Sequence, residues 1–332
     1  MKEKALLLVN FGGPRNPPEI APFLKELLTD RDVVRTNLPS FVNHLLFSWV
    51  AKKRARKIAH DYDSIGGNSP IFADTEKIAS ELEKRLSAPV LTFHRYLPAT
   101  HKQSLAAIEA CNAKEIIVLP LFPQFSYATT GSIARFLANH LCCRTTFKLR
   151  WIPSYPDHPC FIASWTKQIA RTIDEKKMNH PFLLFSAHGV PQAFICTDDP
   201  YQTECVRSFE AISRFFPKSS KLLAYQSKFG KGQWLSPSTE EICRSFDFGS
   251  HKEILIIPLT FTTDHIETLF EIEQQYIPLL QERGFSAVRC PALNLNTEWL
   301  DALTNIAQAN NLAATSMLVR HREIAFCCSG MP

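Results

Sequence analysis

The sequence predicts a doubly wound α/β fold built as two similar halves, and three observations carry that reading. Short apolar runs alternate with longer amphipathic stretches along the 332 residues. The runs are almost continuous in Leu, Ile and Val, as strands buried on both faces of a parallel sheet must be. Two strand-to-loop junctions also recur in the same order. LLLVNFGGP (6–14) resembles LLFSAHGVP (183–191), and KEIIVLPLF (114–122) resembles KEILIIPLT (252–260).

In chain order, ALLLVN (5–10) is the first strand and runs into a two-glycine loop, NFGGP (10–14). ADTEKIASELEKRL (73–86) is an amphipathic crossover helix. VLTFHRY (90–96), EIIVLPLF (115–122) and FKLRWIP (147–153) complete the first half. FLLFSA (182–187), KLLAYQS (221–227) and EILIIPLTF (253–261) are the strands of the second. The expected division is a first domain over 1–155, a second over 156–310, and a C-terminal segment, 311–332, packing back on the body. Ligands of such folds sit beyond the carboxyl ends of the strands.

Composition narrows the function. An apolar fraction of 45% suits a globular protein with a sizeable core. A net charge of +5, scattered along the chain, does not suggest a nucleic-acid binder. No secretory leader pattern and no run of about 18 apolar residues occurs, so a cytoplasmic protein is expected. The ten cysteines include no CxxC pair, and free, reduced thiols are expected.

Six stretches are candidates for chemistry. SAHGVP (186–191) places His188 at a strand's carboxyl end, free to meet a ligand and able to titrate near neutral pH. Polar loop residues are also common without function, and Ser186 lacks the glycines of a serine nucleophile elbow. TFTTDHIETLFEIEQQ (260–275), set on an α-helix, puts Asp264, Glu267, Glu271 and Gln275 on one stripe, opposite Ile266, Leu269, Phe270 and Ile277. Local spacing alone favours a capped surface helix. The alternative is a row of oxygen ligands for a divalent ion, with His265 as a base beside it. In SFVNHLLFSWVAKKRARK (40–57), Phe41, Val42, Leu45, Leu46, Trp49 and Val50 form an apolar stripe ahead of Lys52, Lys53, Arg54, Arg56 and Lys57. That pattern suits a core-facing helix, or a lip for a membrane surface or an apolar ligand bearing carboxylates. NFGGP lacks the G-x-G-x-x-G dinucleotide pattern, and IGGNSP (65–70) and TTGS (129–132) read as turns able to bind anions.

Eight landmarks in order resemble the ferrochelatase family: LVNFGGP, FLKELLTDRDVV, DYDSIGGNSPI, FHRYLPAT, FPQFSYATTGS, FSAHGVP, YQSKFGKGQWLSPST and TTDHIETLFEIE. Together they span residues 5 to about 305. The resemblance implies two Rossmann-like, chelatase-type domains with parallel four-stranded sheets around a central cleft. It implies a lyase that inserts Fe²⁺ into protoporphyrin IX to form protohaem, releasing two protons. Coproporphyrin III is the alternative acceptor. His188 and Glu267 then match the catalytic pair, and Asp264, His265 and Glu271 the polar line for metal or proton passage on a partly π-helical segment. Phe11 matches a position facing the macrocycle, and a phenyl ring there supplies no axial ligand. Arg54, Lys57, Tyr62, Ser69 and Ser227 match positions near the propionates and pocket rim. Arg95 and Trp234 match pocket positions.

The same resemblance sets further expectations. Fe²⁺ is a substrate, no cofactor is tightly bound, and no iron–sulfur cluster is expected. The 127–132 loop carries Tyr127-Ala128, and the tail has adjacent Cys327-Cys328 rather than the usual cluster spacing. Gln275 stands where many relatives continue the acidic line. The 41–50 stripe would touch the inner face of the membrane peripherally, and contact with the preceding haem-pathway enzyme is a further expectation. Competing functions are a cobalt or nickel chelatase, a haem or porphyrin carrier without activity, and a two-lobed metal-binding protein.

Overall fold

The computed structural model describes residues 3–141, 147–228, 232–309 and 311–319. The chain divides into two compact units. One holds residues up to Ser154 together with 303–319; the other holds 155–302.

In the first unit, β1 (Lys4–Asn10), β2 (Val90–His94), β3 (Glu115–Pro120) and β4 (Lys148–Trp151) are parallel, in the order β2-β1-β3-β4. In the second, β5 (Phe182–His188), β6 (Lys221–Gln226), β7 (Glu253–Pro258) and β8 (Ser286–Arg289) are parallel, in the order β6-β5-β7-β8. The two sheets therefore share one topology, and the echoed segments are its equivalent strands: β1 with β5, and β3 with β7. Each echoed pair is central and buried along all but one end residue of each strand, hence the unbroken Leu/Ile/Val runs.

The first sheet departs from the four-stranded expectation. A two-residue strand, β9 (Ala313–Ala314), pairs antiparallel with β4 at its edge. Trp151 Nε1 donates to Thr315 Oγ1 at 3.0 Å, and Leu318 is buried in the core of this sheet. Residues 303–319, which the sequence reading split between the second domain and the tail, thus pack on the first unit. The rest of the tail, with Cys327 and Cys328, lies outside the described residues. β8 also carried no sequence signal, because only Ala287 of its four residues is buried.

Helices cover the sheets by burying one stripe each. Helix Ile71–Leu86 buries Ile71, Thr75, Ile78, Ala79, Leu82 and Leu86, the spacing its sequence predicts, and ends at Ser87 in the left-handed conformation. Its Ile78 and Leu82 are fully buried, each contributing about 1.5–3 kcal/mol of apolar transfer. Helix Ser40–Asp63 is different: Phe41, Leu45, Leu46 and Trp49 are exposed. Its apolar stripe faces solvent, so the core-facing alternative does not apply. Among the described residues no helix is long and apolar enough to cross a membrane.

Candidate active site

The strand order reverses between β5 and β7. The loops leaving adjacent parallel strands diverge at such a point, which is where ligands of these folds bind. His188 is the last residue of β5. Its N–H donates to Thr260 Oγ1 at 3.1 Å, and its carbonyl accepts from Tyr201 Oη at 2.9 Å. Gly189 follows because nothing larger fits: a Cβ there would lie 2.6 Å from the Gln226 carbonyl oxygen and 3.4 Å from the Trp234 ring. The backbone around His188 is thus fixed from three sides, while its side chain stays 39% exposed.

The acidic segment beyond β7 is a π-helix over Glu267–Tyr276, continued by the α-helix Ile277–Glu282. A π-helix closes its hydrogen bonds five residues apart and is frequent at functional sites. Glu267 Oε2 lies 2.8 Å from His188 Nδ1. Ser227 Oγ lies 3.2 Å from that oxygen and 2.5 Å from Glu271 Oε2. Ser227 reaches both because it turns in the left-handed region, φ 63°, directly after β6. His265 Nε2 stands 3.9 Å from Glu267 Oε2, and its Nδ1 lies 3.2 Å from the Thr263 carbonyl oxygen.

Asp264 does not join this group. It precedes the π-helix, and its Oδ1 pairs with Arg289 Nη1 at 2.6 Å while Oδ2 accepts from Asn294 Nδ2 at 2.8 Å. Arg289 also holds Glu273 through Nε at 2.7 Å. The single α-helical stripe of Asp264, Glu267, Glu271 and Gln275 is therefore broken. Glu267 and Glu271 converge on Ser227, Asp264 braces the start of the helix, and Gln275 is exposed.

Electrostatics divide the carboxylates. Burial opposes charge on His188, but the Glu267 charge and hydrogen bond, with Glu271 behind, raise its pKa above the ordinary histidine value. Burial would likewise raise Glu267, yet His188, His265 and the Ser227 hydroxyl hold it well below the usual carboxylate range. Glu271 is pushed up to about 7 by burial and by the neighbouring Glu267 charge. Burial lowers His265. Glu267 is thus the carboxylate of the cluster most firmly held ionised, while His188 and Glu271 each hold a proton more readily than an ordinary histidine or carboxyl does. Among the described residues no set of three His, Cys, Asp or Glu side chains has the geometry of a resident metal site.

The remaining candidates of the second unit, Ser227 and Trp234, stand beside this cluster; Trp234 bridges Pro191 of the His188 loop. Of those of the first unit, Phe11, Ser69 and Arg95 stand at the end of β1, where the Arg95 N–H donates to the Asn10 carbonyl at 3.0 Å. Phe11 packs edge-on against Tyr96 and Phe23, at 4.5 and 6.1 Å between ring centres. Ser69 is buried, and its N–H donates to the Pro14 carbonyl at 2.8 Å. Arg95 is buried too, with Nη2 on Asp30 Oδ2 at 2.8 Å and Nε on Ser132 Oγ at 3.0 Å. Helix Ser40–Asp63 carries Arg54, half-buried with its pKa lowered by burial, and the exposed Lys57 on adjacent turns. Tyr62, near its end, is buried. Three residues of the site escaped sequence reasoning: Tyr201, Thr260 and Gln226. Gln226 lies within the YQSK landmark and Thr260 two residues before TTDH, while Tyr201, in DDPY, adjoins none; the role of each depends on a partner that only the fold brings near.

A two-unit α/β protein with a histidine and two carboxylates at a strand switch point belongs to the chelatase class of folds. Solved structures agree on the fold. The sirohydrochlorin chelatase SirB from Bacillus subtilis subspecies spizizenii, in complex with cobalt, matches with a TM-score of 0.53 and 11% identity, over 92% of this chain and 94% of that one. DR2241 from Deinococcus radiodurans, a multi-domain protein with structural similarity to chelatases, matches with a TM-score of 0.51 and 12% identity, over 92% of this chain and 55% of that one.

The ferrochelatase family model matches residues 3–311. Ferrochelatase of Chlamydia abortus is 44% identical over 316 residues, 95% of this chain and 98% of that protein. That of Chlamydia pneumoniae is 40% identical over 322 residues, 96% and 97%. The chain belongs to the ferrochelatase family, lyase-class enzymes that insert a metal ion into a porphyrin in haem biosynthesis.

Proposed function

We propose that this chain inserts Fe²⁺ into protoporphyrin IX, forming protohaem and releasing two protons. The observation that carries the proposal is the His188 Nδ1–Glu267 Oε2 pair at 2.8 Å. Glu267, held ionised, can only accept, so Nδ1 carries the hydrogen and Nε2 the lone pair. Among the described residues Nε2 has no hydrogen-bond partner, and the ring is part-exposed. His188 is therefore set to take a pyrrole N–H proton through Nε2, and the imidazolium that forms is stabilised by Glu267. A positioned base of this kind contributes about 10²–10⁴-fold. The second proton has an acceptor in Glu271, whose pKa of about 7 lets it bind and release near neutral pH. The two carboxylates also offer oxygen atoms to Fe²⁺ as it sheds water.

The exposed face of helix Ser40–Asp63 supports this choice of acceptor. Phe41, Leu45, Leu46 and Trp49 suit a macrocycle with two propionates better than one with four, and Arg54 and Lys57 supply cationic partners for those two. The same face supports peripheral contact with a membrane, where an apolar porphyrin is held.

An anaerobic insertion assay with Fe²⁺ against both porphyrins tests the reading. The expected result is a higher kcat/KM for protoporphyrin IX than for coproporphyrin III. A preference for coproporphyrin III overturns the choice of acceptor. Porphyrin fluorescence that does not fall on adding iron, with tight haem binding, would establish a carrier instead.

A further inference from the structure

Behind the acidic cluster runs a chain of buried polar groups that the reaction as described does not use. Gln226, the last residue of β6, is 2% exposed; Ser186 on β5 and Thr239 are fully buried. Gln226 Oε1 accepts from Ser186 Oγ at 2.7 Å, and Ser186 Oγ lies 2.8 Å from Thr239 Oγ1. On its other side Gln226 Nε2 donates to the Glu267 carbonyl at 3.1 Å and to Glu271 Oε2 at 3.2 Å, with Ser227 Oγ at 3.4 Å. Polar groups this deep are costly unless paired, so their pairing is informative.

The amide can take only one orientation. Turned end for end, its oxygen would face the Glu267 backbone carbonyl, which can only accept. Ser186 reinforces the choice by donating its one hydrogen to Oε1, which leaves Thr239 to donate to Ser186. Held this way, the amide nitrogen binds Glu271 through Oε2, the oxygen that also accepts from Ser227. Among the described residues Glu271 Oε1 receives no hydrogen bond. The carboxylate therefore has one oxygen committed to the protein and one left for another partner.

We propose that Gln226, oriented by Ser186, is a positioning residue that holds Glu271 so that Oε1 can meet the incoming metal ion. The proposal rests on the insertion reading above. Gln226 touches neither substrate in this role; it acts through Glu271.

The test uses the full chain, with Fe²⁺ and porphyrin varied in turn under anaerobic conditions. Ser186→Ala removes the donor that fixes the amide, and Gln226→Leu removes the amide itself. Each should raise the iron KM about tenfold, the loss expected for a hydrogen bond to a charged group, while the porphyrin KM stays within about twofold. Thr239→Val breaks the same buried chain one step further back. It should lower the melting temperature as Ser186→Ala does and leave the iron KM within about twofold. Should Gln226→Leu fail to fold, Ser186→Ala and Thr239→Val decide the matter. An unchanged iron KM in Ser186→Ala overturns the proposal, as do parallel rises in both KM values or an equal effect of Thr239→Val. A wild type that inserts no iron sinks the insertion reading alone. Calorimetric titration with Co²⁺ then decides the positioning role: binding weakened about tenfold in Ser186→Ala supports it, and equal binding refutes it.

Discussion

His188 commits Nδ1 to Glu267 and keeps Nε2 for chemistry, so removing the ring separates proton transfer from binding. His188→Ala should lower kcat by about 10²–10⁴-fold while the porphyrin Kd, read by fluorescence quenching, changes by less than about threefold. Turnover near that of the wild type would dismiss His188 as the proton acceptor. Glu271 allows a second experiment, on stability. Its pKa of about 7 lies above the ordinary carboxyl value, because burial and the Glu267 charge disfavour its ionised form. The folded chain thus holds this proton more tightly than the unfolded chain does. The associated stability is fully present below about pH 4.5 and is lost as pH rises through 7. A glutamine carries no charge to penalise. Glu271→Gln should therefore unfold at a higher Tm than wild type at pH 8, by about 1–3 kcal/mol in stability, and show no such gain at pH 5. A constant difference across that range would show that Glu271 titrates normally. In the assay the same variant should raise the iron KM and spare that of the porphyrin. The place of His188 was legible in the sequence because FLLFSA reads as a buried strand that ends there, while the role assigned to it came from the family resemblance. Gln226 was not, since only the fold brings it to Ser186 and Glu271.

The π-helix explains why the acidic segment was only half legible. Charge spacing on an assumed α-helix gave a continuous stripe, and the wider turn was expected only through the family resemblance, which implies a partly π-helical segment. The wider turn keeps Glu267 and Glu271 on Ser227 and leaves Asp264 ahead of the helix, against Arg289. Arg289 and Asp264 are 9% and 14% exposed, so each is desolvated and depends on the other. Breaking such a pair from one side typically costs about 3–5 kcal/mol, because a buried charge is left alone. Arg289→Met should cost about that much in urea unfolding, and Arg289→Met with Asp264→Asn should recover most of it. A double variant as unstable as the single one would show that Asp264 is not held by Arg289. If Asp264 is a brace, the double variant should also keep an iron KM within about twofold of wild type.

The internal echo was the most informative feature of the full sequence, because it is a property of topology. Strands with the same neighbours on both sides face the same demand for unbroken apolar residues. β1 and β5, and β3 and β7, accordingly resemble each other. Edge elements face no such demand. β8 buries one residue of four, and β9 is two alanines, so neither left a pattern to read. The tail shows the consequence, since residues 303–319 belong with a unit whose other strands lie over 150 residues earlier. Leu318 is buried in that unit's core, and its carbonyl oxygen lies 3.0 Å from where a Cβ on Gly131 would stand. Such close approach favours a glycine at the end of the π-helix Tyr127–Gly131. Leu318→Ala leaves a cavity beneath the first sheet and should cost about 2–4 kcal/mol. The loss should stay local, because the packing of Leu318 is with the first unit. Hydrogen exchange followed by mass spectrometry should show faster exchange in peptides covering β1, β3 and β4, with those covering β5, β6 and β7 unchanged. Equal acceleration in both sets would mean that the tail stabilises the two units together rather than completing one of them.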